Sequence, residues 1–192
     1  MVAGVLGGIA MFAWSSIAHM ALPLGHAGIQ ELPSEQAALA GMQASIGDKE
    51  GMYFFPGLGV GDNPTHEQEQ EAMKHYEEKL VANPSGFMVY HPAGSRPMAM
   101  PRWLTIECLN ELLESILAVF LLSKTRIAGF GGRVGFIFVA GILASITTNI
   151  SYWNWYGFSG VYTAAYMTTE IVGFLCAGLV AALVLGKSPS TV

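Results

Sequence analysis

The chain has 192 residues, of which 52% are hydrophobic and only 12% are charged, and its formal net charge is −5. A soluble domain usually carries about twice that share of charged residues, so the composition excludes an ordinary soluble protein and indicates an integral membrane protein. The nine Lys and Arg residues form no basic patch or stripe. Nucleic acid is therefore not expected as a partner, and the lipid bilayer is.

Four stretches are long and apolar enough to cross about 30 Å of hydrocarbon, which takes roughly 20 helical residues. The sequence predicts an all-α membrane protein, a four-transmembrane-helix bundle, with spans at Ala3–Leu22, Trp103–Ser123, Val134–Tyr152 and Val161–Leu185. No Lys or Arg precedes the first span, whereas a secretory signal peptide has a positive start and a shorter apolar core. We therefore interpret the first stretch as a retained span.

Lys and Arg residues in short loops predict the orientation of the chain, because they concentrate on the cytoplasmic side. The loop SKTRIAGFGGR after the second span holds Lys124, Arg126 and Arg133, and Lys187 follows the fourth span. Both regions lie on the same side of a four-span chain. That side is predicted to be cytoplasmic, and both termini are predicted to lie on it. Residues 25–101 are then a periplasmic insertion.

The insertion is polar, with ten Asp and Glu residues against four Lys and Arg. The stretch NPTHEQEQEAMKHYEEKLVANPSG is predicted to be one amphipathic helix with Thr65 as its N-cap, and an earlier helix is expected at Pro33–Ser45. GMYFFPG and GFMVYHPAG flank the amphipathic helix. Both are short aromatic and β-branched runs closed by Pro and Gly, so they predict strands that can pair as a short β-ribbon.

Three segments of the chain carry a family resemblance: AWSSIAHMALPLG, then GMYFFPG, then SGFMVYHPAG running into the second span. With these segments the chain resembles an uncharacterised family of small four-span bacterial inner-membrane proteins, and the resemblance covers essentially the whole chain. It implies a multi-pass protein of the bacterial inner (plasma) membrane. It implies no reaction and no functional residue.

The second span, TIECLNELLESILAVFLLSK, carries three glutamates and an asparagine. At about 100° per residue, Glu107, Asn110, Glu111 and Glu114 share one face of the helix, and leucines occupy the other. Ionisable side chains inside a membrane are costly and usually face a bundle interior or water. The acidic face is therefore expected to look at other helices rather than at lipid.

The other spans carry polar side chains at similar depth. His19 lies near the outer end of the first span, Glu170 lies in the outer half of the fourth, and Asn149 lies beside a stripe of Gly141, Ser145, Thr148 and Tyr152 in the third. Small residues at such spacing let membrane helices approach closely. We therefore expect one pocket in the outer half of the bilayer, with these candidate ligand- or proton-binding residues: His19, Glu107, Asn110, Glu111, Glu114, Asn149 and Glu170.

Several carboxyls in a low-dielectric site cannot all stay charged unless protons or a cation neutralise them. The sequence therefore favours a protein that binds or relays a proton, a cation or a small polar ligand. In the alternative, the carboxyls only hold the helices together, at roughly 0.6–2 kcal/mol per hydrogen bond. The chain would then be a structural or accessory subunit, with membrane-protein partners or a second copy of itself.

A membrane-embedded metal-dependent enzyme is the third and weaker hypothesis. Its candidate ligands are His19, Glu111, Glu114 and Glu170, but helical-bundle metal sites usually show Glu-x-x-His on two helices, and that spacing is missing. A nucleophile elbow, HExxH and a dinucleotide fingerprint are also missing, so the sequence favours a protein that is not an enzyme. One intramembrane histidine argues against a bis-histidine haem, and no haem is expected.

The run YWNWYGF between the third and fourth spans is rich in aromatic residues. With Trp103 it predicts an aromatic belt, in which rings lie at the level of the lipid headgroups. The functional alternative for the same residues is an aromatic cage that binds a cation.

Overall fold

A computed structural model describes residues 1–186, and Lys187, which contributed to the predicted orientation, lies outside them. The chain is mostly helical and forms two compact units, one of Met1–Gln30 with the chain from Met98 onward and one of Glu31–Pro97. Its elements in chain order are α1 (Val2–Met20), a short 3-10 helix (Pro23–His26), α2 (Glu35–Ile46), β1 (Gly51–Phe55), α3 (His66–Lys74), α4 (Tyr76–Ala82), β2 (Gly86–Tyr90), α5 (Met100–Ser123), α6 (Phe130–Tyr156) and α7 (Gly160–Gly186).

Three helices of the first unit, α1, α6 and α7, are long and apolar enough to cross a membrane, judged by length and composition. The fourth long helix, α5, has 24 residues, which is about 36 Å of helix. It falls outside this class because its apolar stretch contains three charged residues, Glu107, Glu111 and Glu114. The four predicted spans thus correspond to three candidate spans and one helix of sufficient length that carries acidic residues.

α1 lies between α5 and α7 in the first unit and packs against both of them. Its contact with α5 is close because glycines bring the two backbones together. A Cβ atom added at Gly4 would lie 2.9 Å from Cα of Ile116, and one added at Gly8 would lie 2.7 Å from Cα of Leu112. The residue number rises along α1 as the number of its contact on α5 falls, so the two helices are antiparallel.

The last helix, α7, packs against α1 on one side and α6 on the other, and both of these neighbours are antiparallel to it. α5 makes only slight contact with α6 and α7. The closest approaches again involve small residues, as expected for helices that pack inside a membrane. They pair Gly7 with Ala177, Met11 with Gly173, Gly141 with Phe174, and Gly178 with Ile137.

The buried apolar core of this unit lies mainly toward the N-terminal end of α1. That end also holds the C-terminal turns of α5 and α7, because both are antiparallel to α1. Side chains from all four long helices interlock there and leave this end of the bundle apolar. The core consists of Ala3, Met11, Ala118, Val119, Leu122, Ile137, Phe174, Ala177 and Ala181.

The second unit contains the β-ribbon predicted from the sequence, and the structure confirms it. β1 and β2 pair antiparallel, with Gly51 opposite Tyr90 and Phe55 opposite Gly86. The buried Tyr90 connects the ribbon to α2, because its hydroxyl lies 3.1 Å from Oε1 of Gln43 and 3.0 Å from the carbonyl oxygen of Gly47.

The acidic helix of the second unit begins as predicted, with a capping box in which Thr65 and Gln68 bond each other's backbone N–H groups. The prediction of one continuous helix was wrong. The chain tightens at His75, whose N–H donates to the carbonyl of Ala72, and α4 starts at Tyr76. This turn directs Tyr76, whose hydroxyl donates to the carbonyl of Pro56 at 3.0 Å.

Candidate functional site

A cavity of about 70 Å³ lies between α5 and α7, with α1 as its floor. It exists because α5 and α7 both pack on α1 and hardly touch each other. It occupies the end of the bundle opposite most of the apolar core, near the C-terminus of α1 and the N-termini of α5 and α7. Its lining residues are Met11, Ser15, His19, Glu107, Asn110, Glu111, Glu114, Tyr166, Thr169 and Glu170.

The helix α5 contributes three carboxyls to this cavity at different depths. Glu111 is the most enclosed, with 4% of its surface exposed, and its Oε2 atom has no hydrogen-bond partner among the described residues. Glu114 is half-buried and accepts a hydrogen bond of 2.9 Å from Nδ2 of Asn110 on the same helix. Glu107 is exposed at the mouth. The leucines of the opposite face of α5 point away from the cavity.

α7 contributes the fourth carboxyl, and α6 holds it in place. Glu170 is half-buried, and its Oε2 accepts a hydrogen bond of 2.8 Å from Nδ2 of Asn149. Asn149 is itself buried and also donates to the carbonyl of Ser145 at 2.9 Å. Asn149 therefore does not line the cavity but supports it from behind, by fixing the Glu170 carboxyl to α6.

His19 lies at the mouth of the cavity, where it is exposed. Its Nδ1 atom donates to the carbonyl oxygen of Ser15 at 2.9 Å, because a carbonyl can only accept. Nε2 is then the acceptor of a neutral ring. A Cβ atom added at Gly25 would lie 2.8 Å from Cδ2 of the imidazole, so the loop after α1 packs directly against the ring and limits its motion.

The charges around the cavity are of one sign. Four carboxyls line it, and none of the described residues that line it is Lys or Arg. Such a site favours a cation, because the carboxyls repel one another and have no basic partner. Within residues 1–186 no group of three or more His, Cys, Asp or Glu side chains is arranged to hold a metal ion.

The structure brings six of the seven sequence-predicted residues to the cavity, and it places Asn149 behind Glu170. Four further residues line the cavity and were not among the predicted site residues: Met11, Ser15, Tyr166 and Thr169. Helical spacing was the available signal for three of them, since Met11 and Ser15 continue the four-residue spacing that ends at His19, and Tyr166 lies four residues before Glu170. Thr169 is directly before Glu170, so this spacing does not indicate it. In α6 the expected stripe differs, because Thr148 and Tyr152 are exposed and Asn149 is buried.

The chain was compared with protein-family models, with curated proteins and with solved structures, and none of the three comparisons found a match. What the protein does is therefore inferred from the fold and from the cavity.

Proposed function

We propose that the chain is a bacterial inner-membrane protein with four membrane-spanning helices, which binds a small monovalent cation in its carboxyl-lined cavity. The cavity opens toward the periplasm, and both termini lie in the cytoplasm. The second unit, which belongs to the insertion between the first two spans, lies in the periplasm.

The packing of α5 supports a fourth span. α5 contacts α1 turn by turn, from Ile116 beside Gly4 to the cavity that Glu107 and His19 share. A bilayer that contains α1 therefore also contains α5. The face of α5 turned away from the bundle is exposed and apolar, as a lipid-facing surface requires. It consists of Ile106, Leu109, Leu113, Leu117, Phe120 and Leu121.

The positions of the basic residues support the orientation. The loop between α5 and α6 holds Lys124 and Arg126, and Arg133 lies in the first turn of α6. This loop lies at the end of the bundle opposite the cavity. Because Lys and Arg in short loops concentrate in the cytoplasm, the cavity end faces the periplasm.

Membrane topology can be measured by cysteine labelling in intact bacterial cells that express the chain, with Cys108 and Cys176 replaced by alanine. We expect a membrane-impermeant maleimide to label Ser95→Cys, before α5, and to leave Arg126→Cys, after α5, unlabelled until the cells are opened. Both positions are exposed in the structure, so burial does not explain a difference. Labelling of both in intact cells would mean that α5 does not cross the membrane.

The observation that carries the binding proposal is the environment of Glu111. Its carboxyl is buried, one oxygen has no partner among the described residues, and it faces a cavity that also holds Glu114 and Glu170. An unpaired buried polar group costs about 1–3 kcal/mol. A bound cation would offset that cost for Glu111 and would also reduce the repulsion among the neighbouring carboxyls.

A specific observation favours the second candidate, a structural or accessory subunit. Glu170 on α7 already accepts a hydrogen bond from Asn149 on α6, as a carboxyl that serves only helix packing would, whereas the bond from Asn110 to Glu114 stays within α5. In that case the exposed apolar surface of the bundle would carry a partner protein. This candidate assigns no cation to the cavity and gives no reason for the unpaired oxygen of Glu111.

Thermal unfolding of the purified full-length protein in detergent tests the binding proposal. We expect sodium, potassium, ammonium or methylammonium chloride to raise the unfolding midpoint. Tetramethylammonium chloride keeps the ionic strength constant, because its four methyl groups hold its charge away from carboxylate oxygens. Saturation at 100 times the dissociation constant corresponds to about 2.7 kcal/mol. The effect should weaken as the pH falls, because protons compete for the same carboxylates.

Calorimetric titration with the same salts provides the second measurement. If none of the four small cations shifts the midpoint or releases heat in excess of tetramethylammonium, the binding proposal is wrong and the accessory role is favoured. If they all act equally on a variant in which Glu111 is replaced by methionine, binding occurs outside this cavity, which also contradicts the proposal.

A further inference from the structure

A ladder of aromatic rings runs from the turn between α6 and α7 to the carboxyl-lined cavity. Tyr152 contacts Phe158 with ring centroids 5.4 Å apart, and Phe158 contacts Tyr162 at 5.5 Å. Tyr162 in turn stacks on Tyr166 at 5.7 Å and 25°. Tyr166 lines the cavity, so the ladder ends on the wall of the carboxyl site.

The middle of this ladder forms one wall of a second cleft, of about 300 Å³, which is lined by Gly28, Ile29, Phe158, Ser159 and Tyr162. The cleft is built by a close approach of the loop after α1 to the start of α7. Gly28 has a φ of +75°, and an added Cβ would lie 2.4 Å from Oγ of Ser159 and 2.6 Å from N of Tyr162. Only glycine fits there without strain.

An aromatic belt explains part of this region but not the cleft. Trp153 and Trp155 are 50% and 75% exposed, as belt residues at the headgroup level are expected to be. Phe158 and Tyr162 are instead half-buried, and their rings face a cleft large enough for a small organic molecule.

The cleft and the cavity follow each other along α7, because Tyr162 of the cleft stacks on Tyr166 of the cavity one turn further on. Tyr162 and Glu170 are eight residues apart, which is roughly 12 Å along a helix axis. The cavity is acidic and has room for a small charged group, whereas the cleft is apolar and aromatic. A bare inorganic ion would use only the first of these surfaces.

We propose that the ligand is an organic primary ammonium ion, whose charged group enters the carboxyl-lined cavity while its hydrocarbon part packs in the cleft against Phe158 and Tyr162. This inference rests on the proposed cation-binding function and names its ligand class. The charge of the adjoining cavity selects a cationic occupant for the cleft over a neutral or anionic one. Ring faces along the ladder also attract an ammonium group on its way inward.

Competition binding on the full-length protein tests this inference, with methylammonium and hexylammonium as the probes and hexanoate as the anionic control. We expect hexylammonium to bind at least tenfold more tightly than methylammonium, since its extra methylene groups leave water. Phe158→Ala and Tyr162→Ala should both remove this preference, and Phe158→Ala, whose ring does not touch the cavity lining, should leave methylammonium affinity unchanged. The matched control Trp155→Ala removes an exposed belt ring from the same segment and should keep the preference.

Cysteine protection gives a measurement that does not depend on folding of the alanine variants. In the background without Cys108 and Cys176, Ile29→Cys places a thiol in the cleft, and we expect hexylammonium but not methylammonium to slow its reaction with a maleimide at least threefold. If methylammonium binds while hexylammonium gives neither tighter binding nor protection, or if the preference survives Phe158→Ala and Tyr162→Ala, this inference is wrong. Failure of every small cation to bind would instead overturn the proposed function itself.

Discussion

Replacing Gly8 by alanine should lower the free energy of unfolding by about 1–3 kcal/mol, the usual cost of overpacking a close contact. The new Cβ would lie 2.7 Å from Cα of Leu112 and 3.1 Å from the carbonyl oxygen of Glu111. Both are backbone atoms, so no side-chain rotation relieves the clash. α1 and α5 must separate, and the cavity that they share changes with them.

The matched control for this substitution is Gly135→Ala. Gly135 lies in α6, and an added Cβ meets nothing within 4 Å, so the change should be neutral or gain up to about 1 kcal/mol of helix propensity. Reversible unfolding in mixed micelles, followed by tryptophan fluorescence, measures both variants. Equal stability of Gly8→Ala and the original protein would contradict the close packing of α1 on α5.

Replacing Glu111 by methionine should have two opposite effects: higher stability without ligand and loss of cation binding. Methionine is similar in length, and it removes a buried carboxyl whose Oε2 has no hydrogen-bond partner among residues 1–186. Removing an unsatisfied buried polar group is worth about 1–3 kcal/mol. The same change removes the most enclosed ligand of the proposed site, so the cation-induced rise of the unfolding midpoint should disappear.

Glu77→Met is the control, because Glu77 is exposed on α4 in the other unit and should change neither property. The two candidate functions predict opposite changes in stability for Glu111→Met. If the carboxyl serves only to hold the helices together, the methionine variant should be less stable than the original protein, not more. A destabilised variant that still responds to cations would therefore reject the proposed role of Glu111.

Hydrophobicity and helical periodicity were sufficient to predict much of the fold. The apolar runs predicted the helices α1, α6 and α7, and the Pro- and Gly-bounded aromatic runs predicted the β-ribbon. In α5, the period of about 100° per residue placed Glu107, Glu111 and Glu114 on one face, and all three line the cavity in the structure. Each of these patterns depends only on residues close together in the sequence, so the sequence alone is enough to detect it.

The features that were missed depend on contacts between distant residues. Asn149 rather than Thr148 faces inward, because Gly141 and Ser145 set the line of contact between α6 and α7. The cleft beside Phe158 requires the loop at Gly28 to reach the start of α7, which no periodicity indicates. The break at His75 accompanies the bond from Tyr76 to Pro56. Sequence periodicity predicts which side chains share a face of a helix, but it does not predict which other segment packs against that face.

The position of α1 between α5 and α7 has a consequence for biogenesis. α1 precedes α5 and α7 in the chain, yet it packs against both of them. In the proposed four-span topology, α1 therefore enters the bilayer during synthesis with its glycine-lined side covered only by lipid tails or by an insertion factor. Its two neighbours can join it only after the ribosome has translated most of the remaining chain, so assembly of the bundle is a late, post-insertion event.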